Sequence, residues 1–130
     1  MDKEIICLDT SIFIDYFRKQ RKERTPFIKL SEQYDFAISV ITKFEIGVGI
    51  AKGQEEFWNE VFDKLTIIPL NEVEIDKATE IFSQLRKTNK IIGLPDILIA
   101  ATAIVNDLKL ATLNQKDFSR IAGLKIVKNQ

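Results

Sequence analysis

Ile5-Ile6-Cys7-Leu8-Asp9-Thr10-Ser11-Ile12-Phe13 changes character within a few residues. Ile5 to Leu8 is a continuous apolar run, suited to a short strand covered on both faces. Asp9-Thr10-Ser11 then offers caps for a helix running through Ile12, Phe13, Tyr16 and Phe17. A strand that feeds directly into a helix is the opening of a parallel crossover unit. In parallel sheets, ligands gather beyond the carboxyl ends of the strands, which is where Asp9 stands.

The same alternation continues along the chain. Thr25-Pro26 starts a second helix, with a hydroxyl cap and Pro at the first helical position. Phe36-Ala37-Ile38 is a second strand; Ser39 caps a helix from Val40 to about Ala51, which Gly53 ends. Glu55 to Leu65 is helical, Thr66-Ile67-Ile68 is a third strand, and Pro69 stops it. Asn71-Glu72-Val73-Glu74 is a capping box for a helix bearing Ala78, Ile81, Phe82 and Leu85. After a loop at Ile91 to Leu94, Pro95 opens a strongly apolar helix from Asp96 to about Asn106. Leu110-Ala111-Thr112 is a fourth strand, Asp117-Phe118 lies in a short helix, and Leu124 to Val127 reads as an edge strand. The expected architecture is an α/β/α sandwich, a short mainly parallel sheet with helices on both faces. At 130 residues it forms one domain, 1–130.

Composition narrows the chemistry. Apolar residues make up 45% and charged residues 29%, the balance of an ordinary globular protein. No apolar run approaches a membrane span, and the charged start Met1-Asp2-Lys3-Glu4 is not a secretory signal, so a cytoplasmic location is expected. The single cysteine, Cys7, excludes an intrachain disulfide or zinc cluster and reads as a small core residue. With no histidine, Ser-His, Cys-His and His-metal chemistry are excluded, leaving carboxylates, lysines and hydroxyls. Formal net charge is zero. The exception is local: Arg18-Lys19-Gln20-Arg21-Lys22-Glu23-Arg24 holds five basic residues in seven, either a solvated helix end or a contact for anionic substrate.

Four acids then stand out: Asp9 after strand one, Glu45 on the helix after strand two, Asp96 at the start of the apolar helix, and Asp117 past strand four. Asp9 could simply cap its helix, and Asp96 could simply answer a helix dipole. Glu45 shares a helical face with Ile41, Phe44 and Val48, a face expected to be buried. A carboxylate there needs a partner, either a cation or an ion pair near Lys43 or with Arg86. Asp117 reads as part of an exposed turn beside Asn114. Convergent carboxylates repel one another, and a divalent cation resolves the conflict. Oxygen-only ligands select Mg²⁺ or Mn²⁺ over zinc, and such clusters serve phosphodiester hydrolysis.

Four segments carrying these acids resemble the motifs of PIN-domain nucleases, particularly the VapC-like toxins of toxin–antitoxin pairs. They are Leu8 to Phe17, Ser39 to Gly47 (an S-x-x-T-x-x-E pattern), Leu94 to Ala103, and Ala111 to Phe118. The resemblance implies a PIN-like α/β/α fold and a Mg²⁺-dependent endoribonuclease in which Mn²⁺ can substitute. It places the acidic, metal-binding site on Asp9, Glu45, Asp96 and Asp117, with Thr10, Ser11, Thr112 and Asn114 as supporting polar groups. Many relatives carry an acid where this chain has Asn114, so the fourth acid is assigned to Asp117. Arg18, Lys19, Arg21 and Lys22 are candidate contacts for RNA backbone. The resemblance further implies a 5′-phosphate product, a homodimer, and inhibition by a small VapB-like antitoxin whose tail occupies the cleft.

Two other readings share these features. A phospho-acceptor receiver domain has the same sheet class and an acidic Mg²⁺ pocket, but Ile68-Pro69-Leu70-Asn71 offers no acceptor Asp after the third strand. A catalytically inert PIN-fold module that binds RNA or protein would keep the fold without the activity.

Overall fold

The computed structural model describes residues 2–49 and 53–128. Four strands, β1 (Glu4–Leu8), β2 (Tyr34–Ser39), β3 (Thr66–Ile68) and β4 (Leu110–Ala111), form one parallel sheet in the order β3-β2-β1-β4. The helices are α1 (Thr10–Arg18), α2 (Pro26–Ser31), α3 (Val40–Gly49), α4 (Glu55–Asp63), α5 (Glu72–Lys87), α6 (Leu94–Val105) and α7 (Gln115–Phe118). The alternation along β1 sorts them into layers. Ile6 and Leu8 point into a cluster with Phe13 of α1, Leu30 of α2, Ile46 of α3, and Trp58 and Phe62 of α4. Cys7 points the other way, against Ile81 of α5, Ile99 of α6 and Phe118 of α7. The α/β/α sandwich therefore follows from the pleat of a strand buried on both faces.

Local chemistry sets the boundaries. Thr25 caps α2, its Oγ1 accepting from Ile28 N at 3.4 Å, with Pro26 in the first turn. The backbone N–H of Asn71 donates to Glu74 Oε1 at 2.9 Å, the capping-box return that starts α5. Helices α5 and α6 end alike: Lys90 N donates to Leu85 O and Leu108 N to Ala103 O, both at 2.9 Å, while Asn89 and Asp107 take positive φ. These are Schellman turns in which Asn and Asp replace the usual glycine. Gly53, at φ +79°, has the left-handed backbone expected of a helix terminator; the expected end of α3 near Ala51 lies outside the described residues.

Three expectations need correction. The face expected to be buried on α3 is mostly open: Phe44 is 65% and Val48 70% exposed and Ile41 only partly buried, while Thr42 and Ile46 turn inward. Nearly every side of α3 carries an apolar residue, so periodicity alone does not choose the buried face. Leu124 to Val127 makes a single parallel bridge, Ile126 to Leu110, instead of a strand: Leu110 N donates to Lys125 O and Leu110 O accepts from Val127 N, and the pairing goes no further along the two-residue β4. Helix α6 begins at Leu94, one residue before Pro95.

The sheet order carries the functional consequence. The chain lays β2 and β3 to one side of β1, then crosses back to lay β4 on the other. The gap between the carboxyl ends of β1 and β4 is a topological switch point, the usual seat of ligands in open parallel sheets.

Candidate active site

Leu8 of β1 pairs with Ala111 of β4, so the next residues, Asp9 and Thr112, leave the sheet side by side. Asp9 is buried, 4% exposed, at the N-cap position of α1, yet its side chain caps no backbone N–H. It accepts instead from Thr112 Oγ1 at 2.6 Å and from Ser11 Oγ at 2.8 Å, both on Oδ2. Each hydroxyl is aimed from behind. Asn114 N donates to Thr112 Oγ1 at 2.9 Å and Leu113 N to Ser11 Oγ at 3.0 Å. A donor whose own lone pairs are occupied has little freedom to turn away from the carboxylate.

Glu45 is held from α1 as well. Thr10 Oγ1 donates to Glu45 Oε1 at 2.6 Å and lies 3.2 Å from the hydroxyl of buried Thr42. Neither a lysine nor Arg86 pairs with Glu45 among the described ion pairs, so the ion-pair alternative for this acid is not seen. Thr42 went unassigned in the sequence. Its signal was the threonine of S-x-x-T-x-x-E, three residues before Glu45 and so on the same side of α3.

Asp96 sits in the first turn of α6, half-buried. Its pKa is pushed up to about 6, first by burial and then by the negative charges of Asp9, Glu45 and Asp117. Asp9, Glu45 and Asp117 are thus each within electrostatic reach of Asp96. Asp117, in α7, is half-buried rather than on an open turn. It accepts from Asn114 Nδ2 at 3.0 Å and lies 3.5 Å from Arg120 Nη1, a partner the sequence reading did not include. Asn114 therefore supports Asp117.

The donor set is all oxygen, which suits Mg²⁺ or Mn²⁺. As their side chains stand, no three acids among the described residues form a ready ligand group. Mg²⁺ keeps several waters and takes only one or two carboxylates directly, so loose convergence fits it better than a tight cage would. Cys7, behind the site, is fully buried with its thiol pushed up to about 12 by burial, so it supplies no nucleophile.

The basic run divides. Arg18, at the end of α1, is exposed. Lys22 turns inward: its Nζ donates to Tyr16 O at 2.5 Å and Phe17 O at 2.9 Å and sits 4.9 Å over the Tyr16 ring. It closes the C-terminal end of α1, where a cation is favoured. Lys19 and Arg21 line a cavity together with Arg24, a residue outside the expected set.

The chain is similar to known proteins over nearly all its length. Residues 6–124 match the PIN domain family model. Ribonuclease VapC1 of Methanocaldococcus jannaschii is 38% identical over 124 residues, 93% of this chain and 85% of that protein. Ribonuclease VapC1 of Rickettsia felis is 33% identical over 130 residues, covering 94% of each chain. Among solved structures, VapBC2 from Rickettsia felis bound to a promoter DNA fragment superposes with a TM-score of 0.76 at 28% identity, over 95% of this chain and 97% of that one. A toxin–antitoxin complex from Klebsiella pneumoniae gives 0.74 at 30% identity, over 92% and 94%. With its sheet order, its four acids at the switch point and a match running through nearly all its length, the chain belongs to the PIN-domain family, among its VapC-like members.

Proposed function

We propose that the chain is a divalent-metal-dependent endoribonuclease and the toxin of a toxin–antitoxin pair. The observation that carries this is Asp96. Its pKa is raised by burial and then by three other carboxylates, so the cluster carries a repulsion that a cation would relieve. Asp9, Glu45 and Asp96 would hold the ion, directly or through water, with Asp117 orienting a water. When bound, Mg²⁺ or Mn²⁺ supplies positive charge where the cleaved phosphodiester develops negative charge. The hydroxyls of Ser11 and Thr112 fix Asp9, and Thr10 fixes Glu45, so both carboxylates are oriented before substrate arrives. RNA as substrate is supported by the relatives named ribonuclease.

A VapB-like antitoxin partner is supported by the solved complexes that this fold resembles. Exposed Phe44, Val48 and Leu94 line a cavity of about 470 Å³ that also reaches Thr10 and Glu45, an apolar seat for such a partner beside the acids. A homodimer is part of the same proposal, and light scattering of the purified chain checks it. No helix among the described residues is long and apolar enough to cross a membrane.

The test is cleavage of RNA by purified protein with Mg²⁺, with excess chelator, and by Glu45→Gln. Full activity in chelator, or in Glu45→Gln, would remove the metal-cluster mechanism. A second reading, an inert PIN-fold binding module, would leave the loosely convergent acids without a metal. Calorimetry separates the two: the enzyme binds Mg²⁺ and the inert module gives no heat.

A further inference from the structure

We infer that the cavity bounded by Asp15, Lys19, Arg21, Arg24 and Leu113 seats the RNA backbone beside the cleaved bond, and that Asp15 there accepts the ribose 2′-hydroxyl. This rests on the ribonuclease reading and names how that site recognises its substrate.

Position is the first support. The cavity, about 420 Å³, shares a wall with the acidic site. Leu113 lines it, and Leu113 N donates at 3.0 Å to Ser11 Oγ, which donates at 2.8 Å to Asp9 Oδ2. A second lysine-bearing cavity, lined by Lys29, Lys109 and Lys128, lies where β2 and β4 begin, at the opposite edge of the sheet from the acids. The two cavities meet at Pro26, but of the two the first alone is lined by a residue, Leu113, that is bonded to the acidic site.

Charge is the second. A chain of zero formal net charge has no general attraction for a polyanion, so three cations around one cavity are a local device. Lys22 is spent on α1, which leaves Lys19, Arg21 and Arg24 to face the cavity.

Asp15 is the third and sharpest. A pocket meant for phosphate alone gains nothing from a carboxylate. Asp15 Oδ1 lies 3.7 Å from Lys19 Nζ, but Oδ2 is buried with no hydrogen-bond partner. A buried carboxylate oxygen without a donor is unfavourable; Oδ2 is closed to solvent as it stands, so a turn of the Asp15 side chain toward the cavity is part of the proposal. Next to every phosphate, RNA carries a hydroxyl donor that DNA lacks, and that group is how proteins tell the two apart.

The experiment measures binding without cleavage: fluorescence anisotropy, in chelator, of labelled oligouridylate and its all-2′-deoxy counterpart. Arg21→Ala with Arg24→Ala should weaken both ligands alike and flatten the salt dependence by about 1.4 in log–log slope, for two lost single-strand phosphate contacts. Asp15→Asn should reduce the preference for RNA over its deoxy counterpart by about tenfold, the size of one hydrogen bond to a charged group, with DNA binding unchanged or tighter. Lys29→Ala with Lys109→Ala should leave both ligands unaffected. Binding unchanged in the double arginine variant, or in Arg21→Gln with Arg24→Gln should the alanine pair misfold, overturns the cavity assignment. An Asp15→Asn variant that loses RNA and DNA equally overturns the hydroxyl contact. Wild-type protein that cleaves RNA while these variants bind normally defeats only this inference; protein that neither binds nor cleaves RNA defeats the ribonuclease reading itself.

Discussion

Asp9 and Asp96 both stand at helix starts on the same edge of the sheet, yet the fold treats them in opposite ways. Asp9 is almost fully buried and satisfied by two hydroxyls, each fixed in turn by a backbone amide. Asp96 is half-buried, has no such pair of donors among the described hydrogen bonds, and holds its proton up to a pH of about 6. One acid is solvated by the protein and the other is left to the field of its neighbours. An acidic site built this way has a rigid anchor and a responsive member, and the two should fail differently when altered.

The largest effect is expected at the anchor. Asp9→Asn should lower RNA cleavage about 1000-fold, the scale of removing a principal charge-stabilising group. Circular dichroism should remain that of the wild type, because the amide oxygen still accepts from Ser11 or Thr112.

Asp96→Asn separates the two acids. Cleavage should fall about 100-fold, while the metal-free protein becomes more heat-stable at neutral pH. The sign follows from the raised pKa. The folded state binds this proton more tightly than the unfolded state, so the stabilisation it gives is full below the ordinary carboxylate range near 3.8 and is lost as pH rises through about 6. The gap in melting temperature between Asp96→Asn and wild type, in chelator, should therefore widen from pH 5 to pH 7.5. A gap independent of pH would mean that burial and its neighbours' charges do not raise the pKa of Asp96.

Thr112→Val attacks the anchor indirectly. It leaves a buried carboxylate with one hydroxyl instead of two, which should destabilise the fold by about 1–3 kcal/mol. Activity should fall less than in Asp9→Asn, and denaturant melts read the stability directly. Lys22→Ala should be the mildest change, about 0.3–1 kcal/mol from the lost cation at the end of α1. Its effect on RNA binding should be smaller than that of Arg21→Ala, which anisotropy measures.

The difference between the acids also marks how far the sequence could be read. The joint from Leu8 to Asp9, the strand and helix alternation, and the parallel sheet were legible because apolar runs, hydroxyl caps and Pro positions are local signals. The burial of α3 was not. Thr42 and Ile46 face inward and Phe44 outward, a choice made by where the helix docks. The partner of Asp9 was half legible: the motif resemblance set Thr112 among the supporting polar groups, but not its bond to Asp9. Thr112 ends an apolar run like many threonines, and only the β1–β4 register sets its hydroxyl against a carboxylate 103 residues away. Lys22 and Arg24 look alike in a basic run; one folds back on α1 and the other faces a cavity because of the single tight turn at Lys22–Arg24.

The sheet order has a temporal meaning too. Asp9 leaves the ribosome well before the strand that completes its niche, which is made only after β1, β2, β3 and six of the helices. The Thr112 contact that helps orient Asp9 spans 103 residues and cannot form until β4 is made. A nascent chain still lacking β4 carries Asp9, Glu45 and Asp96 but neither Thr112 nor Asp117. The order in which the strands are laid down thus keeps the half-made protein without its assembled acidic site while it is still attached to the machinery that translates RNA.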